Sequence, residues 1–198
     1  FGIGTGRIAL PLAARGVPVR GIDLSPAMLA RLAAKAGGAA IPVARGDFAE
    51  TRCEGDYRLV YLVFNTIMNL TTQAEQDRCF RNAAAHLLPA GHFVVEVLVP
   101  ALQFVPYGRS THAFDLSPDH WGVDEYDFAT QGLVSHHLHA REYGLERVST
   151  PFRYVWPSEL DLMAQLAGLE LASRHEDWRG TPFTGTSRQH VSVWRKTA

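Results

Sequence analysis

Phe1-Gly2-Ile3-Gly4-Thr5-Gly6-Arg7, read together with Gly21-Ile22-Asp23-Leu24-Ser25-Pro26, decides the fold of this chain. The first stretch is a glycine-rich turn that runs into a helix. The second is a strand that ends on a carboxylate and opens another helix. Glycines at such a turn permit left-handed backbone and let a ligand approach the helix amino terminus closely. A carboxylate at the end of the neighbouring strand can accept two ribose hydroxyls. The pair therefore reads as half of a nucleotide-type cofactor site. The dinucleotide fingerprint G-x-G-x-x-G would need glycine where Arg7 stands, so the spacing points away from a typical NAD site.

Outward from this pair the chain alternates strand and helix. A helix is expected over residues 7–15, stopped by Gly16, with Pro11 tolerated near its first turn. Residues 17–22 suit a buried parallel strand. Ser25 and Pro26 form a helix start, and Gly37-Gly38 its end. Strands follow at 41–44 and 59–64, then a helix opened by the capping box of Thr72 and Glu75. Pro89-Ala90-Gly91 turns the chain into a strand over 92–99. This rhythm is the signature of an α/β fold with a parallel sheet covered on both faces. It breaks at Pro100. Between there and Trp156 three short strands are expected, over 123–127, 133–140 and 146–154, as an antiparallel meander. A helix over 157–167 and strands over 169–175 and 190–194 close the chain.

The motifs G-I-G-T-G at Gly2 to Gly6, G-I-D-L-S at Gly21 to Ser25, G-D-F at Gly46 to Phe48, V-F-N-T at Val63 to Thr66 and L-P-A-G-H-F at Leu88 to Phe93 resemble those of class I S-adenosylmethionine (SAM) dependent methyltransferases. Within that superfamily the chain looks similar to uncharacterised bacterial members carrying P-F-R-Y-V-W-P-S-E-L-D-L-M-A and H-V-S-V-W, as at Pro151 to Ala164 and His190 to Trp194. The resemblance implies a Rossmann-like seven-stranded sheet with an antiparallel last strand. The chain opens inside the first motif. It is accordingly expected to be an N-terminally truncated single domain, 1–198, without the first strand and the acid that commonly precedes the first glycine. Residues 100–156 are expected to form an inserted antiparallel lid over the substrate.

By this resemblance the cofactor is SAM, and its site comprises Gly2, Ile3, Gly4, Gly6, Arg7, Asp23, Leu24, Met28, Asp47, Phe48, Phe64 and Asn65. Asp23 falls where the family binds the ribose hydroxyls. Asp47 can accept from the adenine amine, and Phe48 offers an apolar wall. Phe64 and Asn65 lie at the carboxyl end of a strand, where open α/β sheets hold ligands. Methyl transfer asks mainly for alignment and exclusion of water, so a general base is needed only when the acceptor keeps a proton. Ser135-His136-His137-Leu138-His139 supplies candidates. On a strand His137 and His139 share a face and His136 points away. With Tyr154 they are the catalytic candidates, against the alternative of a solvated sheet face. No metal is expected, because no carboxylate or cysteine at ligand spacing completes a site.

Composition narrows the partners. A chain of 198 residues, 46% hydrophobic and 20% charged with net charge −1, carries no basic footprint for nucleic acid. No apolar run approaches a membrane span. Cys53 and Cys79 are too few for a disulfide framework, which suits a reducing cytoplasm. The expected reaction is methyl transfer from SAM to a small-molecule nitrogen, oxygen or carbon. A homodimer is admitted. The competing readings are an NAD(P)-dependent oxidoreductase and a non-catalytic SAM-binding or dimerisation module.

Overall fold

The computed structural model describes residues 1–197. Helix α1 spans Ala9–Ala14, two residues later in onset than the sequence suggests. Pro11 explains the delay: it lacks an amide hydrogen and fits only where that donor would be unpaired, in the first turn. Strand β1, Gly21–Asp23, leads into α2, Pro26–Ala33, where the Ser25 hydroxyl accepts from the Met28 amide. Strand β2, Val43–Arg45, pairs in parallel with β1.

Strand β3, Tyr57–Leu62, precedes α3, Gln73–His86. Both arms of the Thr72/Glu75 capping box are formed. Strand β4 runs from Leu87 to Leu98, beginning earlier than expected. The Pro89-Ala90-Gly91 turn lies within it, as an irregularity that places Ala90 at φ +61°. A left-handed alanine costs roughly 1–2 kcal/mol, a strain that glycine at this position would not carry.

An antiparallel sheet follows, made of β5 (Thr111–Leu116), β6 (His120–Asp127), β7 (Gly132–Arg141) and β8 (Gly144–Arg153). β5 adds a fourth strand to the three that the sequence pattern predicts. Helix α4, Pro157–Leu166, then returns the chain to the body, and Gly168 at φ +75° stops it. β9 (Leu169–His175) and β10 (Gln189–Lys196) complete a four-stranded sheet in the order β3-β4-β10-β9. β3 and β4 are parallel, and β10 is antiparallel to both of its neighbours. The opening residues bridge the β1 and β3 edges: the Ile3 amide donates to Ile22 O at 3.0 Å, and Phe1 N to Tyr61 O at 2.9 Å.

One apolar core joins α3, α4, β3, β4 and β10, centred on Phe80, Phe93 and Trp194. Phe80 meets each of the other two rings edge-on, at 5.1 and 5.2 Å between centroids. Tyr126, Leu133 and Tyr154 carry this core to the base of the antiparallel sheet. A polar lock fastens the same base. The buried Arg153 guanidinium donates to Glu159 Oε1 at 2.7 Å and to Gln131 Oε1 at 3.1 Å, and also reaches Gln76 Oε1. Gln76 in turn donates to the carbonyls of Ile67, Leu70 and Arg153. Burial pushes the Glu159 carboxyl up, but hydrogen bonds from Arg153, Gln131 and Gln73 outweigh it and hold the group below its usual range.

Candidate functional site

The glycine turn closes onto Asp23. The Gly4 amide donates to Asp23 Oδ2 at 2.7 Å, and the Ser25 amide to Oδ1 at 2.9 Å. Each oxygen keeps a further lone-pair site for a ligand hydroxyl. Gly2, Gly4 and Gly6 have φ of +59°, +56° and +78°, the region where L side chains are strained. Their surroundings separate three roles. A Cβ on Gly6 would lie 2.4 Å from Leu32 Cδ1, so this glycine lets α2 pack against the turn. A Cβ on Gly2 would meet Thr66 at 2.9 Å. A Cβ on Gly4 would come no closer than 4.0 Å to any described atom beyond its chain neighbours, the nearest being Gly2 O, so here the turn faces the space a ligand would enter.

Three of the expected site residues are exposed apolar side chains: Leu24, Met28 and Phe64, the last 67% exposed. Arg7 lies over the Phe64 ring, its guanidinium carbon 4.7 Å from the centroid. Phe64 and Asn65 are consecutive non-glycine residues at φ +58° and +59°. Such strain persists only where surrounding structure holds it. Glu96 at the end of β4 does the holding. Its Oε2 accepts the Phe64 amide at 3.0 Å, its carbonyl the Asn65 amide at 3.1 Å, and its Oε1 the Trp178 indole N–H at 3.0 Å. Asn65 Oδ1 accepts the Leu98 amide at 2.8 Å. Glu96 escaped the sequence reading because its partners lie in other segments.

Asp47 sits just after β2, with Oδ1 accepting the Ala49 amide at 2.8 Å. Phe48 packs partly against the core and stacks on Phe1. Ile3 is tied to β1 through Ile22. The structure thus gathers the first-motif residues, Asp23, Leu24, Met28, Asp47, Phe64 and Asn65 along the carboxyl ends of β1, β2 and β3. A nucleoside cofactor fits this donor set: a fixed carboxylate, an unobstructed glycine backbone and apolar walls.

The catalytic candidates separate. Tyr154 is buried in the core beside Tyr126, and burial pushes its phenol up. His137 and His139 lie farther out on the sheet, on the face that carries Leu133 and Ser135. His136 points the other way, to Ser149 Oγ at 2.8 Å and Glu125 Oε2 at 3.3 Å. On the face of His137 lies Asp124, whose carboxyl is pushed up by burial, against hydrogen bonds from Ser135 and Tyr126. The base of this sheet, β8, packs on the turn Thr66–Asn69 that follows Asn65. The sheet is therefore anchored next to the strained turn.

A family model described as a methyltransferase domain matches residues 1–91. The CcbJ methyltransferase from Streptomyces caelestis is 39% identical and superposes with a TM-score of 0.87, over all of this chain and 82% of its own. The cypemycin N-terminal methyltransferase of a Streptomyces species is 27% identical over 197 residues, 98% of this chain and 80% of its own. A SAM-dependent methyltransferase from Clostridium acetobutylicum shares the fold at 12% identity, with a TM-score of 0.80 over the whole chain and 82% of its own.

Proposed function

The chain belongs to the class I SAM-dependent methyltransferases, and from that premise we propose that it methylates a nitrogen of a small-molecule acceptor held between the glycine turn and the antiparallel sheet. The fold is Rossmann-like, the protein is an enzyme and its cofactor is SAM. The oxidoreductase and non-catalytic readings are set aside. Among the described residues no helix is long and apolar enough to cross a membrane.

The observation that carries the site is the closure of Gly4 onto Asp23, with the Cβ direction of Gly4 open. Bound there, the cofactor supplies a methyl group already activated on a sulfonium. What remains for the chain is placement. Asp23, immobilised by two backbone amides, presents its free lone pairs to the ribose hydroxyls. Asp47 and Phe48 receive the adenine. The backbone of Phe64 and Asn65, held by Glu96, borders the methionine part. Residues 100–156 act as the lid: the sheet excludes water and holds the acceptor in line, which supplies much of the rate for such a transfer.

Nitrogen is the acceptor favoured by likeness to the cypemycin N-terminal methyltransferase. A neutral amine attacks through its lone pair and loses its proton afterwards, so His137, His139 and Tyr154 are not required as bases. The test incubates the protein with isotopically labelled SAM and an extract of small metabolites, then maps the label by fragmentation mass spectrometry. Label on an amine is the expected outcome; label on oxygen or carbon would overturn the nitrogen assignment. Calorimetry fixes the cofactor site separately. Asp23→Ala should weaken SAM binding by about 1–3 kcal/mol, the scale of hydrogen bonds to a charged group, and Asp23→Asn by less. Unchanged affinity in both variants would remove the ribose assignment.

A further inference from the structure

We infer that His120, His137 and His139 form a binding site for one divalent transition-metal ion of the zinc, cobalt, nickel or copper class, fastening the outer end of the antiparallel sheet. One ligating nitrogen from each ring lies within 4.8 Å of the other two. The registry makes this a built arrangement. His120 on β6 stands directly opposite His139 on β7, and His137, two residues back on the same face, stands opposite Gly122. Gly122 leaves a hollow there, and Phe114 from β5 fills it, its ring meeting His137 edge-on at 5.4 Å. The three imidazoles stack at 4.6 to 6.2 Å between centroids.

A carboxylate orients the cluster. Asp115 Oδ2 accepts from His120 Nδ1 at 2.6 Å, which puts the His120 proton on Nδ1 and leaves Nε2 with a lone pair. Without an ion, that Nε2 accepts from His137 Nδ1 at 2.9 Å, so ligation by Nδ1 moves the His137 proton to Nε2, which lies 3.4 Å from Ser135 Oγ. Two imidazole nitrogens bound to one zinc-sized ion at about 2.0–2.1 Å would lie about 2.9 Å apart at a right angle and about 3.4 Å apart at the tetrahedral angle. A small ring rotation covers that range. A carboxylate behind a ligating histidine is the usual outer partner of such sites. Three neutral nitrogens suit the borderline divalent ions rather than magnesium or calcium, and leave a coordination position for water.

The position suggests a structural task. His139 is six residues along β7 from the buried Leu133, about 20 Å from the anchored base at strand rise. The base has the core and the Arg153 lock; the outer end has cross-strand hydrogen bonds. An ion there would tie β6 to β7 and, through Asp115, to β5.

The test uses the whole chain without a polyhistidine tag, stripped with chelator and titrated with Co²⁺. One equivalent should bind with visible ligand-field absorption, and Zn²⁺ should displace it. His137→Ala and His139→Ala should each weaken Co²⁺ binding at least tenfold, and Asp115→Asn by about 10–100-fold, the usual scale for an outer partner. His136→Ala, on the opposite face, should leave it unchanged. Circular dichroism in chelator checks that the variants remain folded, and the wild-type spectrum stands independently of them. Failure of the wild-type protein to bind one equivalent, or equal loss in His136→Ala, would overturn the site.

Discussion

Arg153 at the end of β8 and Glu159 in the first turn of α4 form a buried ion pair of 2.7 Å, and this pair joins the antiparallel sheet to the body. Removing one partner of a buried pair leaves an uncompensated charge and costs about 3–5 kcal/mol. Arg153→Met should therefore lower unfolding free energy by that amount in a urea titration. Glu159→Gln added to Arg153→Met should recover part of the loss, because the stranded carboxylate is then gone. Additive losses in the double variant would show that the two side chains are not coupled.

Gly4 and Gly6 should fail differently when replaced by alanine. Gly6→Ala combines φ +78° with a clash against the buried Leu32, so roughly 2–5 kcal/mol of stability should be lost. Gly4→Ala meets no protein atom and should cost only the backbone term of roughly 1–2 kcal/mol. Its methyl would occupy the space assigned to the cofactor. SAM affinity measured by calorimetry should fall more in Gly4→Ala than its stability does. A Gly4→Ala protein with wild-type affinity would place the cofactor elsewhere.

What could be read in the chain beforehand was local in origin. The glycine turn, the Ser25 cap, the Thr72/Glu75 box and the Gly168 stop each depend on residues a few positions apart, so their chemistry is written in sequence order. β9 was read with its correct ends because it has a helix stop before it and a polar loop after it. β5 is not legible because T-H-A-F-D-L carries polar and charged residues, stands between proline- and glycine-containing turns, and has no buried residue to impose an alternating pattern. The site divides in the same way. Asp23 follows from a motif, and His120 stands in the sequence as a weaker candidate beside Trp121 and His190, whereas the partners of Glu96, and of His120 across the sheet at His137, are set only by strand registry. His120 lies 17 residues from His137, and spacing alone gave no ligand set.

Glu96 holds the Phe64-Asn65 turn in place, and its replacement separates folding from binding. Two left-handed non-glycine residues store roughly 2–4 kcal/mol between them. Without the carboxylate the turn can relax, so Glu96→Ala should lower stability by no more than about 1–2 kcal/mol. The KM for SAM should rise, because the backbone bordering the methionine part has moved. Amide exchange at Phe64 should accelerate, and Trp178 fluorescence should shift as its indole loses its acceptor. A variant with faster exchange but unaltered KM would remove this turn from the cofactor site.

His190 gives the fold a pH dependence whose sign follows from its burial. The ring is fully buried on β10, with Nδ1 2.8 Å from Ser192 Oγ and no partner for Nε2 among the described residues. Burial lowers its pKa to about 4; the Arg174 guanidinium adds to the fall and Asp161 opposes it. In the unfolded chain the same imidazole titrates near 6.5. Between these values the unfolded state binds more protons than the folded one. The stabilising contribution is therefore complete above about pH 6.5 and is lost progressively as pH falls toward 4. Between about pH 7.5 and 4.5 the loss from this one group is roughly 2–3 kcal/mol. Urea unfolding of the wild-type protein and of His190→Leu at those two pH values isolates it: the variant should lose less stability on acidification by about that amount. Equal losses in the two proteins would mean that His190 is already protonated, or freely solvated, in the folded state.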